Sequence, residues 1–187
     1  MSLISHFLFG SARTGIEAMR PVLYRIAYAW CHDPALADDL VQETLSKALA
    51  RRAQLREEGA LKAWTVSIMN HCWLDHLRSR REFDDVDALQ DELESTAESP
   101  EACCSREEVI ACVRAAVARL PMGQRQVLTL VDLEEFGYAE VADILGIPVG
   151  TVMSRLSRAR ASLKRMLDQA QAQAQAHGAQ PALRRVK

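Results

Sequence analysis

YAEVADILGIPVGTVMSRLSRAR, residues 138–160, decides how the rest of the chain is read. Val141, Ile144 and Leu145 share one face of a first amphipathic helix. Val152, Leu156, Ala159 and Leu163 recur at helical spacing in a second. Between them stands Gly146-Ile147-Pro148. Glycine supplies the backbone freedom for a sharp helix stop, and Pro148 fits the first turn of the next helix, where a missing N–H costs little. Two short helices held at a fixed angle with an outward polar stripe predict a helix-turn-helix over residues 138–157, a shape that fits the major groove. The stripe consists of Gly150, Thr151, Ser154, Arg155 and Arg158, able to reach base edges and phosphates. Arg155, one turn beyond Thr151, is expected at a guanine edge, and Arg158 a turn further on is expected at the backbone.

A length of 187 residues allows one or two small domains. Aromatic residues make up only 5 % and hydrophobic residues 49 %, with Leu and Ala abundant, which favours an all-α protein. No apolar run approaches the roughly 20 residues that span a bilayer. The opening MSLISHFLFG lacks a basic segment and a cleavage site, so no signal peptide is expected. Cys31, Cys72, Cys103, Cys104 and Cys112 are odd in number and irregular in spacing, which suits a reducing cytoplasm.

The net charge of −2 conceals an asymmetry. Residues 82–108 hold eleven acids and one base, Arg106, which leaves 22 bases and 14 acids for the rest of the chain. A phosphate feels the field nearby rather than the average, so a near-neutral total is compatible with nucleic-acid binding.

Along the chain, residues 1–18 read as an N-terminal extension and 19–82 as a first helical domain. Its first stripe is Leu23, Ile26, Ala27 and Trp30; Asp33-Pro34 then signals an N-cap and first helical position. The next helix packs Ala37, Leu40, Val41, Thr44, Leu45 and Ala48, and turns Asp38, Asp39, Gln42, Glu43 and Lys47 outward. A third helix is expected over 61–81. Residues 83–106 are acidic, contain Ser99-Pro100 and carry no long apolar stripe, so they form a flexible linker reaching up to roughly 80 Å when extended. A second small domain covers 107–168, with Val109, Val113, Ala116, Val117 and Leu120 as a core stripe stopped by Pro121, then a short helix over 124–131. The tail, 169–187, begins as alternating Gln and Ala and carries no motif.

The third helix projects Trp64, Ile68, Met69, Cys72, Trp73 and Leu77 onto a broad apolar arc. Both tryptophans belong in the core on that geometry, although either ring has a face on which a base can stack. Ser67, Asn70, His71, Arg78 and Arg81 occupy the remaining stripe, which is either an ordinary solvated face or a surface for nucleic acid. Arg78, Arg80 and Arg81 at the helix end suit phosphates, and asparagine can bond an unpaired base edge. Cys103 and Cys104 could sense redox state. No CxxC occurs, and His71 and His76 are five apart, so no metal site is expected. Nor is there an activated nucleophile, a phosphate-cradling glycine loop or an acid/base pair: no cofactor is implied and the chain is not expected to be an enzyme.

DDLVQETLSKAL (38–49), then AWTVSIMNHCWLDHLRSRR (63–81), then a linker and LPMGQRQVLTLVDLEEFGYAEVADILGIPVGTVMSRLSRARASL together resemble a bacterial extracytoplasmic-function (ECF) sigma factor of the sigma-70 family, over about residues 19–167. The resemblance implies two helical domains, sigma regions 2 and 4, joined by a linker that threads a polymerase channel. It implies that 39–52 binds the clamp helices of core RNA polymerase, with Asp38, Asp39, Gln42, Glu43 and Lys47 on the docking face. It assigns Ser67, Asn70, His71, Arg78, Arg80 and Arg81 to the −10 element, Asn70 at a position that contacts a flipped base. It assigns the helix-turn-helix to the −35 element. Core polymerase, promoter DNA and an anti-sigma factor are the implied partners, and transcription initiation under stress the implied setting. The loop LREEGALKA before Trp64 departs from the family in lacking an aromatic residue, which leaves the captured −10 base open. Two other readings stand beside this one: a dimeric helix-turn-helix repressor or activator, and a signalling adaptor of the same fold without DNA affinity. Arg155 and Arg158 argue against the adaptor.

Overall fold

The computed structural model describes residues 15–55, 57–84 and 106–178. Among these, every element is helical. A helical turn at 15–18 leads into α1 (Arg20–Cys31), α2 (Pro34–Ala50) and α3 (Leu61–Asp84). The second half comprises α4 (Arg106–Ala118), α5 (Met122–Leu128), α6 (Tyr138–Leu145) and α7 (Val149–Gly178). Most of the expected extension, linker and tail lies outside the described residues, Cys103 and Cys104 included, although α7 carries the chain through the Gln/Ala repeat as far as Gly178.

The local rules operate as expected in the first half. Asp33 caps α2, its Oδ1 accepting from Ala35 N at 2.8 Å and Leu36 N at 3.2 Å. The α1 stripe (Leu23, Ile26, Ala27, Trp30) and the α2 stripe (Ala37, Leu40, Val41, Thr44, Leu45, Ala48) are buried. From α3 come Val66, Ile68, Met69, Cys72 and Trp73, with Trp64 half-buried at the edge. Both tryptophans therefore pack rather than present a free ring. Trp30 is 1 % exposed, and truncating such a side chain to alanine costs about 3–5 kcal/mol.

The second half departs from expectation at α4. Val109 (51 % exposed) and Val113 (36 %) are not core residues; Cys112, Ala116, Val117 and Leu120 are. The apolar run around Val109 is wide enough to allow either face, and the helices packed against α4 select the Cys112–Ala116 side. The short helix also changes character. α5 opens into a π-helical turn, Thr129–Leu133, closed by Glu134 N donating to Thr129 O at 3.1 Å. Glu135 then takes a left-handed φ of 61°, at a cost on the order of 1 kcal/mol. That reversal brings Phe136 N onto Leu130 O at 3.0 Å and buries both Glu134 and Phe136.

One contiguous apolar cluster runs from Ile16 to Ala159, so α1–α3 and α4–α7 share a core. Polar contacts reinforce the seam. Arg125 donates to Trp30 O at 2.7 Å across it, and to Ala118 O and Leu120 O at 2.8 and 3.0 Å on its own side. One guanidinium thereby satisfies carbonyls left open at the ends of α1 and α4.

Candidate nucleic-acid interface

The helix-turn-helix forms as the sequence predicts. Gly146 takes φ +65° after α6, and Gly146 and Ile147 both return their N–H to Ala142 O. Pro148 stands one position before α7 rather than within its first turn, its carbonyl accepting from Thr151 N at 2.8 Å. At the other end of α6, Glu140 Oε2 accepts from Gly137 N at 2.8 Å, which ties the N-terminus down. Val141, Ile144, Val152, Leu156 and Ala159 are buried, fixing the angle between the helices.

With that face locked, the outward stripe of α7 is determined. Gly150, Ser154 and Arg158 are exposed, as predicted, and Thr151 is half-buried. Met153, 54 % exposed, and Ser157 lie on the same outward surface. Sequence reasoning passed over both, because methionine reads as core and the serine as filler; counting i, i+3, i+4 and i+7 from Gly150 finds them. Arg158 is oriented by Ser154, its Nε donating to the Ser154 carbonyl at 3.1 Å and a terminal nitrogen to Ser154 Oγ at 3.3 Å. Arg155 is placed differently. It is half-buried, its guanidinium lying over Gly123, so close that a Cβ there would stand 3.0 Å from Arg155 Cζ. Arg160 extends a basic flank and is held by Asp132, Nε to Oδ2 3.0 Å.

The predicted −10 residues on α3 do not form one open stripe. Arg78 and Arg80 are exposed, Arg78 paired with Asp75 at 3.0 Å. His71 is exposed, its Nδ1 2.7 Å from the carbonyl of the half-buried Ser67. Arg81 falls within α3, and its side chain lies outside the described residues. Asn70 is only 4 % exposed. Its Nδ2 donates to Ile144 O at 3.1 Å, and its Oδ1 accepts from Gln126 Nε2 at 3.2 Å. Ile144 O belongs to the last turn of α6, where carbonyls lack partners within the helix, and Asn70 supplies the donor.

On α2, Asp38, Asp39, Gln42 and Glu43 are exposed together. Lys47 is half-buried and bonded to Glu43 at 2.8 Å, and that hydrogen bond raises its pKa. The face is acidic at one end and neutralised at the other. Cys72 lies beneath it against Thr44, and burial raises its pKa, which keeps the thiol protonated and unreactive.

A further polar group emerges on the seam, one that the sequence did not single out. The Glu134 carboxylate, 4 % exposed at its side chain, receives Arg25 Nε at 3.0 Å and an Arg25 terminal nitrogen at 2.9 Å. The Lys62 ammonium stands 3.3 Å from the same carboxylate, 2.7 Å from the Glu134 carbonyl and 4.6 Å above the Phe136 ring. Only the folded chain brings residues 25, 62 and 134 together.

Comparison with known proteins matches this arrangement half by half. Sigma-70 region 2 matches residues 16–83, and sigma-70 region 4 matches residues 110–163. The ECF RNA polymerase sigma factor EcfG of Rhodopseudomonas palustris is 36 % identical over 161 residues, covering 86 % of this chain and 87 % of its own. The RNA polymerase sigma-H factor of Pseudomonas aeruginosa is 32 % identical over 145 residues, with 73 % and 75 % covered. Among solved structures, the sigma factor RpoE of Bartonella quintana, in complex with the anti-sigma factor NepR, superposes with a TM-score of 0.68 at 32 % identity, over 82 % of this chain and 94 % of that one. The chain belongs to the ECF sigma factors of the sigma-70 family, which bind core RNA polymerase and direct promoter-specific initiation of transcription.

Proposed function

We propose that the two halves divide promoter recognition as follows. Residues 19–82 dock on core polymerase through Asp38, Asp39, Gln42, Glu43 and Lys47, and meet the −10 element through Ser67, Asn70, His71, Arg78, Arg80 and Arg81. Residues 107–168 read the −35 element through the outward stripe of α7, with 83–106 as the linker between them. The observation that carries this reading is the stripe itself. Gly150, Met153, Ser154, Ser157 and Arg158 are solvent-facing on a helix whose opposite side is fixed by Val152, Leu156 and Ala159. Gly150 lets the backbone approach closely, Ser154 and Ser157 offer hydroxyls to base edges, and Met153 offers an apolar contact to a thymine methyl. Arg158 meets the backbone. Arg155 supports the helix from its place over Gly123 rather than entering the groove.

The chain performs no chemistry of its own in this account; the polymerase supplies catalysis, and the work is done in the cytoplasm. Regulation by an anti-sigma factor is part of the proposal, supported by the likeness to a sigma factor bound to one. Melting a promoter unstacks bases at a cost of a few kcal/mol, so strand capture by the first half must hold what the second half positions.

A DNase footprint tests the division. Core polymerase with this chain is expected to protect both promoter elements, and a version carrying Ser154→Ala, Ser157→Ala and Arg158→Ala to lose protection at −35 first. Unchanged −35 protection in that variant would remove α7 as the reader.

A further inference from the structure

Sigma-70 region 4 accounts for the chain only as far as residue 163, whereas α7 continues without a break to Gly178. Leu163 and Met166 still pack on the core, so the helix enters this extension with its orientation fixed. Seven residues make two helical turns less about 20°. Lys164 and Arg165, both exposed, therefore repeat two turns on the places that Ser157 and Arg158 take on the outward stripe.

We propose that Lys164 and Arg165 grip the DNA backbone beside the −35 element, carrying the contact of α7 past the edge of the groove. The inference rests on the reading of α7 as the −35 reader, and adds to it a phosphate site that is indifferent to sequence.

Charge, shape and reach carry the proposal. Among the described residues, Arg25, Lys47, Lys62, Arg78 and Arg160 are each paired with a carboxylate, whereas Lys164 and Arg165 are paired with none. Arg165 has only a long contact on its own helix, a terminal nitrogen 3.5 Å from Ser162 Oγ. Two cations without an internal carboxylate, in line with a DNA-facing stripe, are placed to neutralise phosphates and release their counterions.

The surface around them is low. Ala161 and Ala172 are small and exposed, and with Lys164, Arg165, Asp168 and Gln169 they line a shallow open groove along the helix. A sugar-phosphate ridge can approach closely there. Arg165 stands seven residues past Arg158, about 10 Å along the axis. Each strand carries a charge about every 3.4 Å of duplex axis, so a phosphate next to the one Arg158 meets falls within that span. Asp168, exposed one turn on, ends the basic run and limits the site to these two cations.

The experiment uses core polymerase reconstituted with the full chain, and a promoter that this holoenzyme transcribes. Duplexes end either at the −35 element or about one helical turn beyond it. The parent is compared with Lys164→Gln plus Arg165→Gln, and with Arg114→Gln plus Arg119→Gln, which removes the same charge from exposed positions on α4. Circular dichroism checks that each double variant keeps its helicity.

On the longer duplex, the Lys164 and Arg165 variant is expected to flatten the slope of log affinity against log salt by about 1.8, two contacts' worth. Between about 50 and 200 mM salt it should therefore lose about tenfold less affinity than the parent. Its preference among single-base −35 variants should be unchanged, and on the shorter duplex its salt slope should match the parent's. A parental slope on the longer duplex overturns the site. So does an equal flattening by the α4 variant, which would make the effect one of overall charge. Arg158→Ala on the same duplexes tests the −35 reading separately. If it weakens binding while Lys164→Gln plus Arg165→Gln does not, only the extended contact fails; if neither changes binding, the −35 reading fails with it.

Discussion

Asn70 donates its amide to the carbonyl of Ile144, 74 positions away, at 3.1 Å. The bond joins the middle of α3 to the last turn of α6. It gives one side chain two duties, completing the fold of the free chain and, in the proposed account, holding a base in the open complex.

Asn70→Ala should therefore show two separable effects. In the free chain it leaves Ile144 O and Gln126 Nε2 without their buried partner, at a cost of about 1–3 kcal/mol in urea unfolding. In the holoenzyme it should spare closed-complex formation and reduce the open complex, read by permanganate reactivity of unpaired thymines. Equal loss of both steps would leave Asn70 with a structural role alone.

Promoter reading separates Arg155 from its neighbours. Met153→Ala and Ser157→Ala are each expected to relax preference at one −35 position by about 1 kcal/mol, a factor of about five. Arg158→Ala should weaken every promoter alike with a shallower salt slope. Because its guanidinium lies over Gly123, Arg155→Ala should lower affinity uniformly across a panel of single-base variants. Loss of preference at a single position on Arg155→Ala would put that side chain in the groove.

Polymerase docking is expected to depend on the open acidic face. Asp39 and Glu43 are four apart on α2 and both exposed. Asp39→Arg with Glu43→Arg should weaken core-polymerase binding tens-fold or more, while the circular-dichroism spectrum is unchanged. Undiminished co-purification would move the docking surface elsewhere.

His32 sets a pH dependence of stability. It sits at φ 55° beyond α1, and burial, with Arg125 nearby, lowers its pKa to about 4. Its Nε2 has no partner, so a proton there would be poorly accommodated. The unfolded chain binds that proton near pH 6.5 and the folded chain does not, so stability falls as pH drops from about 6.5 to about 4. Asn tolerates the left-handed conformation, and His32→Asn should flatten the urea midpoint across that window. A midpoint that tracks pH equally in both proteins would exclude His32.

Periodicity made the helices legible. The stripes of α1 and α2, the Asp33 cap and the Gly146 turn follow from local chemistry, and all are found in place. Val109 and Val113 misled because an apolar run wider than one face does not say which side its neighbours cover. Met153 and Ser157 were hidden by composition rather than geometry. The seam was not legible at all: Arg25, Lys62 and Glu134 are ordinary surface charges in sequence, and only the π-turn at Thr129–Leu133 with the reversal at Glu135 swings the carboxylate inward. The linker suggested two independent halves, whereas the core they share depends on helix ends meeting donors far away in sequence.

The central claim is that this chain gives core RNA polymerase its promoter specificity. Run-off transcription tests it most directly, using purified bacterial core enzyme, this chain, and a library of genomic fragments from the source of the gene. The account predicts discrete transcripts from a small set of fragments sharing −35 and −10 elements, none without the chain, and none from chain carrying Asp39→Arg and Glu43→Arg. Transcripts that are the same with and without the chain would contradict it.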